Sequence, residues 1–178
     1  MPAKEAAESL LMSQTTPWGI TRVGGVQNGV GKKAWVLDTG IDLDHPDLNV
    51  DVGNSVSFVG GESADDLNGH GTHVAGILAA KDNSTDVVGV AAGATVVSVK
   101  VCNASLQCFV SDVDAGVDYV ASRYTAGDVA NISLGYPIEG NPRVDIPLSV
   151  LENSVTVAAN DGLLFAISAG NDQIFAIC

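Results

Sequence analysis

Apolar residues fall in short continuous runs separated by glycine-rich and acidic stretches. Lys33–Leu37 is one such run and reads as a buried strand that ends at Asp38-Thr39-Gly40. Thr95–Val101, Val129–Leu134 and Leu163–Ser168 have the same character, and Ser55–Val59 is a shorter strand. Between them the period changes. In Asn68–Ala80, NGHGTHVAGILAA, a loop turns into a helix whose small apolar run after Thr72 suits burial on most sides. Val113, Val117, Val120 and Tyr124 recur at helical spacing and predict a helix over Asp112–Arg123, with Ser111 and Asp114 resembling a capping box. Leu148, Leu151, Val155 and Ala158 mark another helix, starting near Pro147, which a first turn tolerates. Ala3–Met12 has helical composition, and Pro17-Trp18-Gly19-Ile20 reads as an extended lead-in that anchors one aromatic ring. Gly24–Gly31, Asp42–Asp47, Gly60–Leu67 and Lys81–Asp86 read as loops. Strands that are apolar throughout and alternate with helices predict an α/β fold: a doubly wound, mainly parallel sheet with helices on both faces.

Composition sharpens this. The 178 residues make one domain or part of one. Charged residues are 16% of the chain, against about 25% in an ordinary globular protein. The 20 glycines suit a well-buried core joined by tight turns. The net charge of −13 argues against nucleic acid, whose phosphates would be repelled, and fits a soluble, salt-tolerant or cation-binding protein. No uncharged run reaches the roughly 18 residues of a membrane helix, so no membrane partner is expected. Lys4, Glu5 and Glu8 interrupt Met1–Ser13, which is therefore not read as a signal peptide. Cys102 and Cys108 could close one short loop in a secreted protein or stay as thiols in the cytosol. Cys178 has no obvious partner, a hint that the chain stops early.

In a parallel sheet the site lies at the carboxyl ends of the strands. Asp38, His70 and Asn171 stand at strand ends or at the turn into a helix. Asp38 can accept the Nδ1–H of an imidazole, fix its tautomer and stabilise the imidazolium. His70 sits at a helix N-terminus, near the positive end of the dipole, which suits a neutral general base. Its neighbours Gly69 and Gly71 leave room for another chain to approach the ring. The amide of Asn171 can donate to a developing oxyanion. Other readings compete. His70 and His73 form an H-x-x-H that with Asp38 could hold a transition metal, but no fourth ligand is evident. His73 is otherwise expected to pack or hydrogen-bond behind the site, and His45 to shape its loop. Asp65-Asp66 reads as a solvated loop or a second cation site.

Asp38-Thr39-Gly40-Ile41-Asp42, His70-Gly71-Thr72-His73-Val74-Ala75-Gly76, Ser133-Leu134-Gly135 and Ser168-Ala169-Gly170-Asn171 resemble the motifs of the subtilisin-like serine peptidases, in the same order. The resemblance runs from about Gln14 to Asp172. It implies a secreted serine endopeptidase that works through an Asp-His-Ser triad and an acyl-enzyme. Asp38 would orient His70, the general base, and Asn171 would supply the side-chain half of an oxyanion hole. Ser133, Leu134 and Gly135 would pair with an extended polypeptide substrate, with residues 104–108 as the opposite edge. Leu106 and a Cys102–Cys108 bridge would reshape the non-primed pocket, and Tyr136 stands where many relatives carry Gly. The family's Ca2+ site maps onto side-chain oxygens of Gln14 and Asn83, the Asp47 carboxylate, and carbonyls of Lys81, Thr85 and Val87. A monomer is implied for the full-length protein.

One motif of the resemblance is absent. The family's nucleophile stands in a Gly-Thr-Ser-Met-type turn after the oxyanion Asn, and no such turn occurs in these residues. Residues 14–178 therefore read as a partial, subtilisin-like catalytic domain, incomplete at the C-terminus, and 1–13 as a disordered segment or the tail of a pro-segment. Such a chain is expected to be inactive alone and association-prone, with an apolar face and a strand edge exposed. The rival reading is a non-catalytic peptide-binding remnant that keeps the cleft edges.

Overall fold

The computed structural model describes residues 13–135 and 145–170. In chain order the elements are α1 (Trp18–Arg22), β1 (Gln27–Asn28), β2 (Lys33–Asp38), β3 (Asn49–Val50), β4 (Val56–Ser57), α2 (His70–Ala79), β5 (Ala91–Ala92), β6 (Thr95–Lys100), α3 (Val110–Ala121), β7 (Val129–Ile132), α4 (Leu148–Asn160) and β8 (Leu164–Ile167). The main sheet runs β3-β6-β2-β7-β8, and every pairing in it is parallel. β3 pairs with the first half of β6 and β4 with its end, so two short strands share one edge. β1 and β5 form a separate small parallel pair.

β2 is central, and Ala34–Asp38 are all buried. Both of its faces are covered, which is why its sequence does not alternate. Trp35 and Leu37 pack with Val97, Val99 and the inner stripes of α3 and α4, including Val113, Val117, Val120 and Ala158. Val36 faces the other way, among Ile41, Leu48, Val96 and two α2 residues, Ala75 and Ala79. Helices on both faces of a parallel sheet make the expected doubly wound fold. The order also explains the site's position. β6 lies on one side of β2 and β7 on the other, so the loops leaving β6 and β7 flank the end of β2.

The five expected strands, β2, β4, β6, β7 and β8, begin and end within two residues of their expected bounds, while β1, β3 and β5 were not expected. Other expectations need correction. Pro17–Ile20 is not an extended lead-in: Trp18–Arg22 is a short helix that buries Ile20 and leaves Trp18 82% exposed, so Ile20 is the anchor. α2 is not buried on most sides. Gly71, Ala75 and Ala79 form one buried stripe four residues apart, while Ile77 opposite is half exposed. Ser111 does not cap α3. The cap position is Phe109, and the Ser111 amide and hydroxyl both donate to Asp145, at 3.0 and 2.5 Å. The strand pair β1–β5 lies partly inside the expected Gly24–Gly31 loop. On β8, Leu164 and Ile167 are more than half exposed. Ala3–Met12, Tyr136 and Cys178 lie outside the described residues. No helix among the described residues is long and apolar enough to cross a membrane.

Candidate active site

Asp38 is the last residue of β2, and its side chain is fully buried. Its Oδ1 accepts the Thr39 N–H at 2.7 Å and lies 2.7 Å from Nδ1 of His70. A carboxylate facing Nδ1 favours the tautomer with the proton there, which leaves Nε2 as the basic nitrogen. The His70 side chain is 38% exposed, so that nitrogen can be reached from solvent. Burial pushes the Asp38 carboxyl above its ordinary value, and the donors on His70 and Thr39 pull it part of the way back. Its Oδ2 is buried without a hydrogen-bond partner among the described residues.

His70 is the first residue of α2, whose cap, Gly69, provides no side chain. Three neighbours satisfy the first helical amides instead. His70 N–H donates to Asn68 Oδ1, Gly71 N–H to Thr39 Oγ1, and Thr72 N–H to Asp66 Oδ2. Of the two glycines beside His70, Gly69 does leave open space, whereas Gly71 does not. Gly69 has φ +102°, a left-handed turn that other residues resist. At Gly71 the room is already taken, because a Cβ would lie 2.1 Å from the Gly40 carbonyl oxygen.

Asp66 was hidden by the acidic loop around it. Its Oδ1 accepts from the Thr39 hydroxyl and from the amides of Asn68 and Gly69, while Oδ2 accepts from the amide and hydroxyl of Thr72. It therefore joins the strand end that carries Asp38 to the helix start that carries His70. Burial raises the pKa of its carboxyl, but the hydrogen bonds from Gly69, Thr72 and Asn68 outweigh this and hold it below its ordinary value. It is thus a partly buried, fully hydrogen-bonded carboxylate rather than a solvated loop residue. A group held below its ordinary value stabilises the fold above that value, and the contribution is lost as pH falls through the folded pKa. Asp66→Ala is expected to cost about 3 kcal/mol at neutral pH, by loss of a cap and orphaning of donors. Urea unfolding of parent and variant at neutral pH and below pH ~3 checks this, and the difference should shrink in acid.

The two segments expected to flank a substrate also gather at this end of the sheet. Cys102 and Cys108 are disulfide-bonded, closing the loop after β6. Within it Asn103 Oδ1 accepts from Ser105 and Gln107 N–H, and Leu106 takes φ +57° with its side chain partly exposed. Asn68 Nδ2 donates to the Ala104 carbonyl at 2.9 Å, tying this loop to the His70 turn. On the other side, Ser133, Leu134 and Gly135 follow β7. Ser133 Oγ accepts from Asn131, and the Leu134 carbonyl accepts the Ser168 hydroxyl at 2.6 Å. Asn171 lies outside the described residues.

The expected calcium ligands converge as well. Gln14 Nε2 donates to the carbonyls of Lys81 (2.7 Å) and Val87 (3.2 Å) and lies 3.4 Å from Asn83 Oδ1. Asn83 Nδ2 donates to the buried Asp47 carboxylate at 2.5 Å, and Gln14 Oε1 accepts the Asn83 amide. Thr85 enters through its N–H and hydroxyl, both on Asn83 Oδ1. Three oxygens, the Lys81 and Val87 carbonyls and Asn83 Oδ1, thus surround the Gln14 amide nitrogen. These oxygens, with the buried Asp47 carboxylate beside Asn83, are of the donor types a hard cation takes. No group of three or more His, Cys, Asp or Glu that could hold a metal occurs among the described residues, and His73 is exposed rather than packed behind the site. His45 does shape its loop, its Nδ1 accepting the Asp47 N–H.

A family model described as the subtilase family matches residues 31–176. The alkaline protease of Alkalihalobacillus alcalophilus is 43% identical over 175 residues, covering 94% of this chain and 43% of that protein. Subtilisin Savinase of Lederbergia lenta is 43% identical over 166 residues, covering 89% and 57%. Subtilisin-like protease 3 of Saccharomyces cerevisiae is 32% identical over 187 residues, covering 91% and 36%. A solved structure of a cold adapted subtilisin-like serine proteinase superposes with a TM-score of 0.60 at 33% identity, covering 81% of this chain and 48% of that one. The chain thus spans about half the length of the relatives it matches.

Proposed function

The chain belongs to the subtilase family, and from that premise we propose that it carries the Asp–His half of a subtilisin-type serine endopeptidase centre. The 2.7 Å contact between Asp38 Oδ1 and His70 Nδ1, at the carboxyl end of the central strand, carries this reading. Among the described residues no hydroxyl is hydrogen-bonded to Nε2 of His70, and no Gly-Thr-Ser turn occurs in the sequence. These two observations support our reading that the nucleophile lies outside residues 1–178.

In the complete centre His70 Nε2 takes the hydroxyl proton as that serine attacks the scissile carbonyl. Asp38 stabilises the resulting imidazolium. His70 then returns the proton to the leaving amine, and water reverses the sequence to release the acyl group. Asn171 donates to the oxyanion. The substrate lies extended between residues 104–108 and Ser133–Gly135, with Leu106 on the non-primed side. An extracellular setting suits the Cys102–Cys108 disulfide.

Gln14, Asp47, Lys81, Asn83, Thr85 and Val87 would hold Ca2+, which would brace the end of α2 against the segment near Gln14. With calcium at one hundred times its Kd, chelation is expected to lower stability by about 2.7 kcal/mol. Asp47→Asn should remove most of that response. An unfolding midpoint that ignores both calcium and chelator would contradict the site.

The direct test of the whole reading is a chimera. The chain is joined to the part of the Alkalihalobacillus alcalophilus alkaline protease that follows the matched region. The expected result is hydrolysis of an internally quenched peptide that phenylmethanesulfonyl fluoride blocks and His70→Ala abolishes. The chain alone should leave the peptide intact. Hydrolysis by the chain alone would contradict the placement of the nucleophile.

A further inference from the structure

Lys100 ends β6 beside Asp38, its register partner at the end of β2. Its side chain is fully buried, which is rare for lysine. Three oxygens surround the ammonium, two as hydrogen-bond acceptors and one as an ion-pair partner. Nζ donates to the Thr39 carbonyl at 2.5 Å and the Asp65 carbonyl at 3.2 Å, and pairs with Glu62 Oε2 at 3.0 Å. These acceptors are well placed. Thr39 follows Asp38, and its other polar atoms are already committed: its N–H to Asp38 Oδ1 and its hydroxyl to Asp66. Asp65 precedes Asp66, which holds the start of α2. One ammonium therefore fixes the strand arm carrying Asp38 and the loop arm leading to His70 at a single point.

Stability alone does not explain a charge there. A buried ion pair replaced by apolar residues of similar volume is often neutral or stabilising, because desolvation offsets the attraction. A methionine could fill the channel but would orient neither carbonyl. We propose that Lys100 is a positioning residue for the Asp38–His70 pair, holding Thr39 and the 62–66 loop so that the carboxylate and the imidazole stay in register. This deepens the proposed function and rests on that pairing. It does not need turnover, so its failure and that of the peptidase reading are distinguishable.

The test is Cε1–H exchange of each histidine in the full chain, followed by mass spectrometry at one pH. His45 and His73 serve as internal references. Lys100→Met is expected to move the His70 exchange rate toward that of exposed His73 by about fivefold or more, the lower end of couplings between linked sites. The reference rates should stay put, and Lys100→Arg, which keeps the cation and its donors, should restore much of the parent rate. An unchanged His70 rate in folded Lys100→Met would overturn the proposal and leave Lys100 a role in folding only. Should Lys100→Met not fold, Glu62→Ala decides. It removes one of three holds on the ammonium at a partly exposed position, so a smaller shift in the same direction is expected, and no shift would overturn the proposal.

Discussion

Asp38→Asn is expected to cut peptide hydrolysis by the complemented domain about 10⁴-fold while raising the stability of the fold at neutral pH. The two effects have one origin. Asp38 is a buried carboxylate with an unpartnered Oδ2, and burial lifts its pKa above the ordinary value. A carboxyl raised on folding binds its proton more readily in the native than in the unfolded state. Stability therefore falls as pH rises from the ordinary carboxylate value through the folded one, and stays reduced above it. Asparagine keeps the shape and an oxygen for the Thr39 N–H, and a neutral amide tolerates burial better than a charge. The imidazolium, however, loses its counter-charge, because the one amide oxygen that would meet both the Thr39 N–H and His70 Nδ1 is neutral. The gain in unfolding free energy should be present at neutral pH and vanish below the ordinary carboxylate range. Urea titrations at both pH values, alongside kcat/KM, check the pair of effects. A variant that loses both activity and stability at neutral pH would show that the Asp38 charge is well compensated.

The second large effect is expected at Gly71. A Cβ there would lie 2.1 Å from the Gly40 carbonyl oxygen and 3.2 Å from Asp38 Oδ1. The first of these is backbone and cannot rotate away. Alanine gains about 1 kcal/mol of helix propensity over glycine. Overpacking a tight contact costs about 1–3 kcal/mol and sometimes more, and an overlap of this depth belongs at the upper end. Gly71→Ala is thus expected to destabilise by about 2–3 kcal/mol net, by driving the start of α2 off the end of β2. Displacing His70 by about 1 Å from Asp38 should also lower kcat/KM about 10²-fold. Thermal unfolding and peptide hydrolysis measure both. A variant with parental stability would mean that α2 does not dock on the Asp38 turn as described.

What could be read in advance followed from local pattern. The unbroken run Ala34–Leu37 could only suit a strand covered on both faces, and an acid at its carboxyl end stood where parallel sheets place their sites. His70 announced itself through the loop-to-helix switch. Other features depended on partners far along the chain. Asp66 looked like one more charge in an acidic loop, and its meaning came from Thr39, 27 residues away. Lys100 drew no reading of its own inside the Thr95–Val101 run, and its role came from Glu62 and two carbonyls that the fold brings to it. The spacing of Ser111 and Asp114 suggested a capping box, yet Asp145, 34 residues away, offered Ser111 a better acceptor. α1 is five residues long, too short for a helical period to show against Pro17 and Gly19.

The pairing of Asp38 with His70 is most directly tested by proton NMR of the chain. The expected result is a low-field resonance from the His70 Nδ1 proton, present in the parent and in His73→Ala and absent in Asp38→Ala. A parent spectrum without that resonance, or one that keeps it in Asp38→Ala, would contradict the pairing and with it the general-base role of His70.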